Sequence, residues 1–134
     1  MDDANGLVMS LMLAVPDATA ASTWYQEALG ALELWNLGSV VGLHIDGAPF
    51  FLAEPAANGW ECPSALGTTT VRVEVFVNDP DEFIARAVDK GADGDRRAVR
   101  VHEMPWGPHR QGGFVDPFGH LWLVGDSSPL QPHL

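Results

Sequence analysis

The chain contains one cysteine, no lysine or arginine in its first 71 residues, and no apolar run near the ~20 residues that would cross a bilayer. Each shortage removes a class of explanation. Cys62 alone can neither close an internal disulfide nor supply the spaced thiolates of a metal site, and the expected compartment is a reducing cytoplasm. The acidic opening Met1-Asp2-Asp3 lacks the positive start of a secretory signal. The seven basic residues begin at Arg72, eight acidic residues precede it, and the net charge is −11. Phosphate contacts need basic side chains, so neither nucleic acid nor a membrane is an expected partner. A neutral or cationic small molecule is easier to accommodate. Neither G-x-S-x-G nor G-x-x-x-x-G-K occurs, which removes the common signals for a nucleophilic serine and a phosphate loop.

What is present suits one folded domain of 134 residues, 46% hydrophobic and 19% charged. Residues 8–15 read as a buried strand that Pro16-Asp17 ends, with Asp17 an N-cap. Ala21, Trp24, Tyr25, Ala28 and Leu29 then recur at helical spacing, and Gly30 sits at the C-terminal cap position. Strands are expected over about 32–36, 39–45 and 49–54, the last two joined by Asp46-Gly47. Residues 55–69, with Pro55, Gly59, Pro63 and Gly67, read as a crossing loop. The order then restarts. Val71, Val73, Val75 and Val77 alternate with Arg72, Glu74 and Phe76, and Asp79-Pro80-Asp81-Glu82 opens a second helix. Ile84, Ala87 and Val88 form its expected buried stripe and Gly91 its end, and strands follow around 97–103, 112–116 and 120–125. Val15-Pro16-Asp17 to Gly30 thus matches Val77-Asn78-Asp79 to Gly91. Two βαβββ units in tandem bury faces that neither buries alone.

The turn Asp116-Pro117-Phe118-Gly119-His120 feeding Leu121-Trp122-Leu123, and the loop Glu103-Met104-Pro105-Trp106-Gly107 followed by Arg110, resemble the vicinal oxygen chelate superfamily of glyoxalases, bleomycin-resistance proteins and extradiol dioxygenases. The resemblance covers residues 8–126. It implies an α+β fold in which two βαβββ modules form a curved, cup-like mixed sheet with helices outside. Module one spans about 8–54, module two about 70–126, and a tail 127–134. The superfamily's enzymes hold a divalent ion with ligands on the first and fourth strands of each unit. Carried onto this chain, those positions fall on Ser10, Phe51, Arg72 and Leu123. None is a donor that suits a catalytic transition metal, so no metal and no other cofactor is expected.

With no metal, the candidate ligand contacts are the residues expected in the cup. Arg72, Glu74 and Phe76 lie on the strand face opposite the valines, where the first two would form a buried polar pair and Phe51 and Phe76 an apolar wall. Trp35, Trp60 and Trp106 stand in loop or strand-edge contexts that suit stacking on a planar ligand, and His44 and His102 occupy strand positions that can face the cup. Cys62, between Glu61 and Pro63, lacks the positive surroundings of a reactive thiolate. Similarity to the superfamily's metal-poor, antibiotic-binding branch implies sequestration of a small aromatic molecule, neutral or cationic, by a homodimer with shared clefts. The alternative is an isomerase, epimerase or lyase using Glu74 or His102 as a base. A third reading is an interaction domain with a filled cup.

Overall fold

The computed structural model describes residues 6–94, 99–128 and 130. Module one runs β1 (Met12–Ala14), α1 (Ala18–Leu29), β2 (Leu32–Asn36), β3 (Val40–Ile45) and β4 (Ala48–Ala53). A short helix, α2 (Pro63–Leu66), leads to module two: β5 (Arg72–Phe76), α3 (Pro80–Asp89), β6 (Arg100–Met104), β7 (Gly107–Val115) and β8 (Leu121–Gly125). The strand orders are β1-β4-β3-β2 and β5-β8-β7-β6. In each sheet the module's first and last strands pair in parallel and the other pairs are antiparallel. The expected tandem α+β architecture is therefore present. No helix among the described residues is long and apolar enough to cross a membrane.

Local chemistry sets the helix starts. The Asp17 side chain accepts from Ala20 N at 3.0 Å and that of Asp79 from Glu82 N at 3.1 Å, the N-cap role expected of each. Each sheet turns one alternating set of side chains toward the core. Leu13, Val41, Leu43, Phe50, Leu52, Phe114, Trp122 and Val124 form one core with Ala18, Ala21, Tyr25 and Ala28 of α1. Tyr25 joins the two modules, its ring 5.4 Å from that of Phe50 and 5.8 Å from that of Trp122.

Beneath that ring contact lies a buried carboxylate. Asp116 accepts from the Tyr25 hydroxyl, from Trp122 Nε1 at 2.9 Å, and from the backbone N–H groups of Phe118 and His120 at 2.9 Å each. Burial, reinforced by the Asp116 charge, raises the Tyr25 phenol well above its ordinary value.

Several elements differ from the expectation. The strand predicted over 8–15 narrows to β1; Leu11 O still accepts from Phe51 N, but Leu7, Val8 and Met9 are 85%, 89% and 83% exposed. The crossing segment is not all loop, because Pro63 begins α2 and Gly67 closes it. The region around Pro105-Trp106 is a tight hairpin pairing Met104 with Gly107, which extends β7 back from the expected 112 to Gly107. In α3, Ala87 is buried and Ile84 partly so, whereas Val88 is exposed; the helix does end at Gly91 as expected, which follows the Lys90 cap at φ 109° and donates its N–H to Val88 O. The expected start at 97, His133 and most of the tail fall outside the described residues.

Tyr25 is the chain's one tyrosine, so its ionisation can be read directly by phenolate absorbance. Tyr25→Phe should cost about 2 kcal/mol in urea unfolding, since it removes a hydrogen bond to a charged acceptor. Because the folded-state pKa is raised, the tyrosine's contribution is intact below the unfolded value near 10 and is lost as pH rises, by at most about 1.4 kcal/mol per unit. Tyr25→Phe should flatten that alkaline loss. An ordinary tyrosine titration in the folded wild type would contradict this.

Candidate functional site

Strand alternation leaves each sheet a face turned away from the shared core. On sheet one, a single row crosses all four strands: Met12 opposite Phe51, Phe51 opposite Gly42, and Gly42 opposite Trp35. Trp35 reaches that face through a β-bulge. Glu33 pairs with Leu43 and points toward α1, where its carboxylate accepts from Ser22 Oγ at 2.7 Å. The ladder shifts between Glu33 and Trp35, so Leu34 is the extra residue and Trp35 lies opposite Gly42. Without that shift Trp35 would stand opposite Val41, on the core side. The indole then lies directly over Gly42: a Cβ there would be 2.5 Å from Trp35 Cε2. Its centroid is 5.2 Å from that of Phe51, with the rings tilted by 50°. His44 is on the same face, two residues along β3, and its Nδ1 accepts from Gly47 N at 3.0 Å.

Sheet two carries polar groups. Arg72 Nε donates to Glu74 Oε2 at 3.1 Å, but the side chains are 56% and 41% exposed. The expectation of a buried pair is thus corrected: β5 is an end strand of its sheet, and both side chains reach solvent. Phe76 packs beside Gly125, where a Cβ would meet its ring at 3.3 Å. Glu74 and Phe76 also line a cleft of about 390 Å³ that reaches Ile45, Pro49 and Phe50 of module one. Farther across the sheet, buried His109 stands opposite His102. Its Nδ1 is 3.2 Å from Ser127 O and its Nε2 3.2 Å from Gln111 Oε1. The His102 ring is 6.0 Å away and that of Trp106 6.2 Å.

The structure therefore sorts the sequence candidates into groups. Trp35, Phe51 and His44 share sheet one; Arg72, Glu74 and Phe76 share β5; His102 and Trp106 gather at His109. Trp60 is exposed on the crossing segment and joins none of these by a ring contact among the described residues. Sequence reasoning missed His109, Gln111 and Met12. The first two have the same strand parity as Gly113, a signal hidden while residues 105–111 read as loop. Cys62 is buried beside Glu54 and Glu61 at a second cavity of about 400 Å³, and burial followed by the Glu61 charge pushes its thiol up. That is the reverse of thiolate activation.

The positions that hold ligands in metal-bearing relatives of this architecture do not fit an ion. Phe51 lies against Trp35, Leu123 is an aliphatic side chain, and Arg72 brings a positive charge. Among the described residues no three His, Cys, Asp or Glu side chains are grouped to hold one.

No family model matches the chain. Among curated proteins, the uncharacterized protein Mb0911c of Mycobacterium bovis is 32% identical over 127 residues, covering 87% of this chain and 81% of that protein. The uncharacterized protein Rv0887c of Mycobacterium tuberculosis shares the same identity, with 72% of its length covered. The chain belongs to one family with these mycobacterial proteins, and its fold is that of the vicinal oxygen chelate superfamily. Among solved structures, TioX from Micromonospora sp. ML1 matches with TM-score 0.64 and 24% identity over 94% of this chain and 100% of that one. The fosfomycin resistance protein FosX from Listeria monocytogenes matches with TM-score 0.70 and 18% identity, over 93% and 92%. A glyoxalase/bleomycin resistance protein from Albidiferax ferrireducens matches with TM-score 0.69 and 16% identity, over 91% and 100%.

Gly42→Ala should drive the indole off its seat, since the added methyl has no room beneath it. The near-ultraviolet circular dichroism of the Trp35–Phe51 pair should change while far-ultraviolet signal and α1 helicity stay unaltered. An unchanged near-ultraviolet spectrum would mean the ring does not rest on Gly42.

Proposed function

We propose that the chain binds and sequesters a small planar aromatic molecule without a metal, and that it works as a homodimer. The observation that carries this is the Trp35–Phe51 pair, its indole seated against Gly42 and brought to that face by a bulge. Partly exposed indole and phenyl rings give apolar area at low entropic cost, and they stack on any planar ligand. The ion-paired Arg72 and Glu74, and the imidazoles of His102 and His109 with Trp106, are groups that would orient a bound molecule. The names of FosX and of the Albidiferax protein, both resistance proteins, support an antibiotic or similar natural product as the ligand class.

Homodimer formation is supported by what a single chain leaves uncovered. β1 and β5 are end strands, each with one edge unpaired among the described residues, and the apolar stretch Leu7-Val8-Met9 is almost fully exposed. A partner copy would cover both and turn two open faces into shared clefts. A cytoplasmic site of action is supported by the free thiol of Cys62.

Titrating intrinsic tryptophan fluorescence with planar aromatic natural products should give saturable quenching near one ligand per chain. Trp35→Ala should weaken that binding by about 1–3 kcal/mol, and affinity unchanged by the substitution would refute the platform. Sedimentation equilibrium should report a dimer, and a monomer at every concentration would refute the assembly.

A further inference from the structure

We infer that the ligand of the Trp35–Phe51 platform carries a hydrogen-bond acceptor in or beside its ring plane, an aryl carbonyl being the simplest, and that His44 Nε2–H recognises it. This rests on the platform reading above and adds a chemical class to it. A backbone N–H only donates, so the 3.0 Å bond from Gly47 N to His44 Nδ1 fixes Nδ1 as the acceptor nitrogen. The neutral imidazole must then carry its proton on Nε2, whichever ligand is present. Gly47 is placed to do this by the turn that Asp46, at φ 50°, and Gly47, at φ 86°, make between β3 and β4.

His44 is thus a donor of fixed polarity. It has no acceptor for Nε2–H among the described residues, and it is only partly buried. It shares its strand face with Gly42, the seat of the indole, and two residues of strand separate them by about 7 Å. Leu32 and Pro49 stand opposite His44 on the flanking strands and provide no competing polar group. A hydrocarbon stacked on Trp35 would leave the donor unsatisfied or shield it from water, at a cost, whereas an acceptor on the ligand would satisfy it.

The test compares two probes of one shape and one charge: 2-(aminomethyl)anthraquinone and 2-(aminomethyl)anthracene, titrated by calorimetry into wild type, Trp35→Ala, His44→Phe and His44→Gln. The anthraquinone should bind wild type about tenfold more tightly than the anthracene. His44→Phe, which keeps a flat side chain but no donor, should erase the preference, and His44→Gln, which keeps an N–H, should retain part of it. Trp35→Ala should weaken both probes alike. Equal affinities in wild type, both still sensitive to Trp35→Ala, would overturn the His44 inference and leave the platform standing. A preference that survives in His44→Phe would overturn it too, by assigning the donor elsewhere. Failure of both probes to bind would count against the platform itself, and the inference would fall with it.

Discussion

A carboxylate buried at the meeting of the two modules is what the rest of this structure depends on. An ionised Asp116 in the core would be ruinous alone, because taking a charge out of water costs several kcal/mol even after relaxation. Here four donors converge on it, two from backbone and two from the aromatic side chains Tyr25 and Trp122. The same turn makes two further connections. His120 Nε2 lies 2.7 Å from Ala14 O on β1. Gly119, at φ 92°, sits so close to α2 that a Cβ would be 2.8 Å from Ser64 N. Module one, the crossing helix and module two are therefore fastened at one five-residue turn, and no larger residue could replace Gly119 there.

That fastening has a consequence for ligand recognition. Both sheets direct their apolar sides onto the same core around α1, so among the described residues α1 leaves their opposite sides open. A sheet face without a cover is a cost in most domains, since exposed aromatics and unpaired strand edges invite association. In this chain it leaves the row of Met12, Phe51, Gly42 and Trp35 on the side of sheet one away from the core, where the proposed ligand would rest. Rigidity of the core and openness of the faces are one arrangement viewed from two sides.

Much of this is legible in the sequence. The duplicated Val-Pro-Asp and Val-Asn-Asp punctuation reveals two modules, because a cap, a proline and a strand end are local events that residue type alone dictates. Strand alternation likewise puts Arg72, Glu74 and Phe76 opposite the valines. Alternation does not say what covers a face, which is why the Arg72–Glu74 pair, expected to be buried, is exposed. Nor does it reveal where the alternation slips. Leu34 looks like any strand residue, yet its bulge decides whether Trp35 stacks on Phe51 or enters the core. Punctuation misled at Pro105-Trp106, where proline and glycine mark a two-residue hairpin and not a loop, and His109 was hidden behind it.

The two modules, superposed through their shared register, show how duplication was put to use. Met12, Phe51 and Gly42 form a row across β1, β4 and β3. Glu74, Leu123 and Gly113 form the matching row across β5, β8 and β7. Glycine stands on the third strand of both, but only in module one does an indole occupy the space above it. Met12 corresponds to Glu74, so an apolar edge in one module is a charged edge in the other, and every basic residue of the chain lies from Arg72 onward. A ligand site needs broad apolar area for affinity and a few fixed polar groups for orientation. Module one presents more of the first and module two more of the second, so a cleft that used both would bring the unlike halves together.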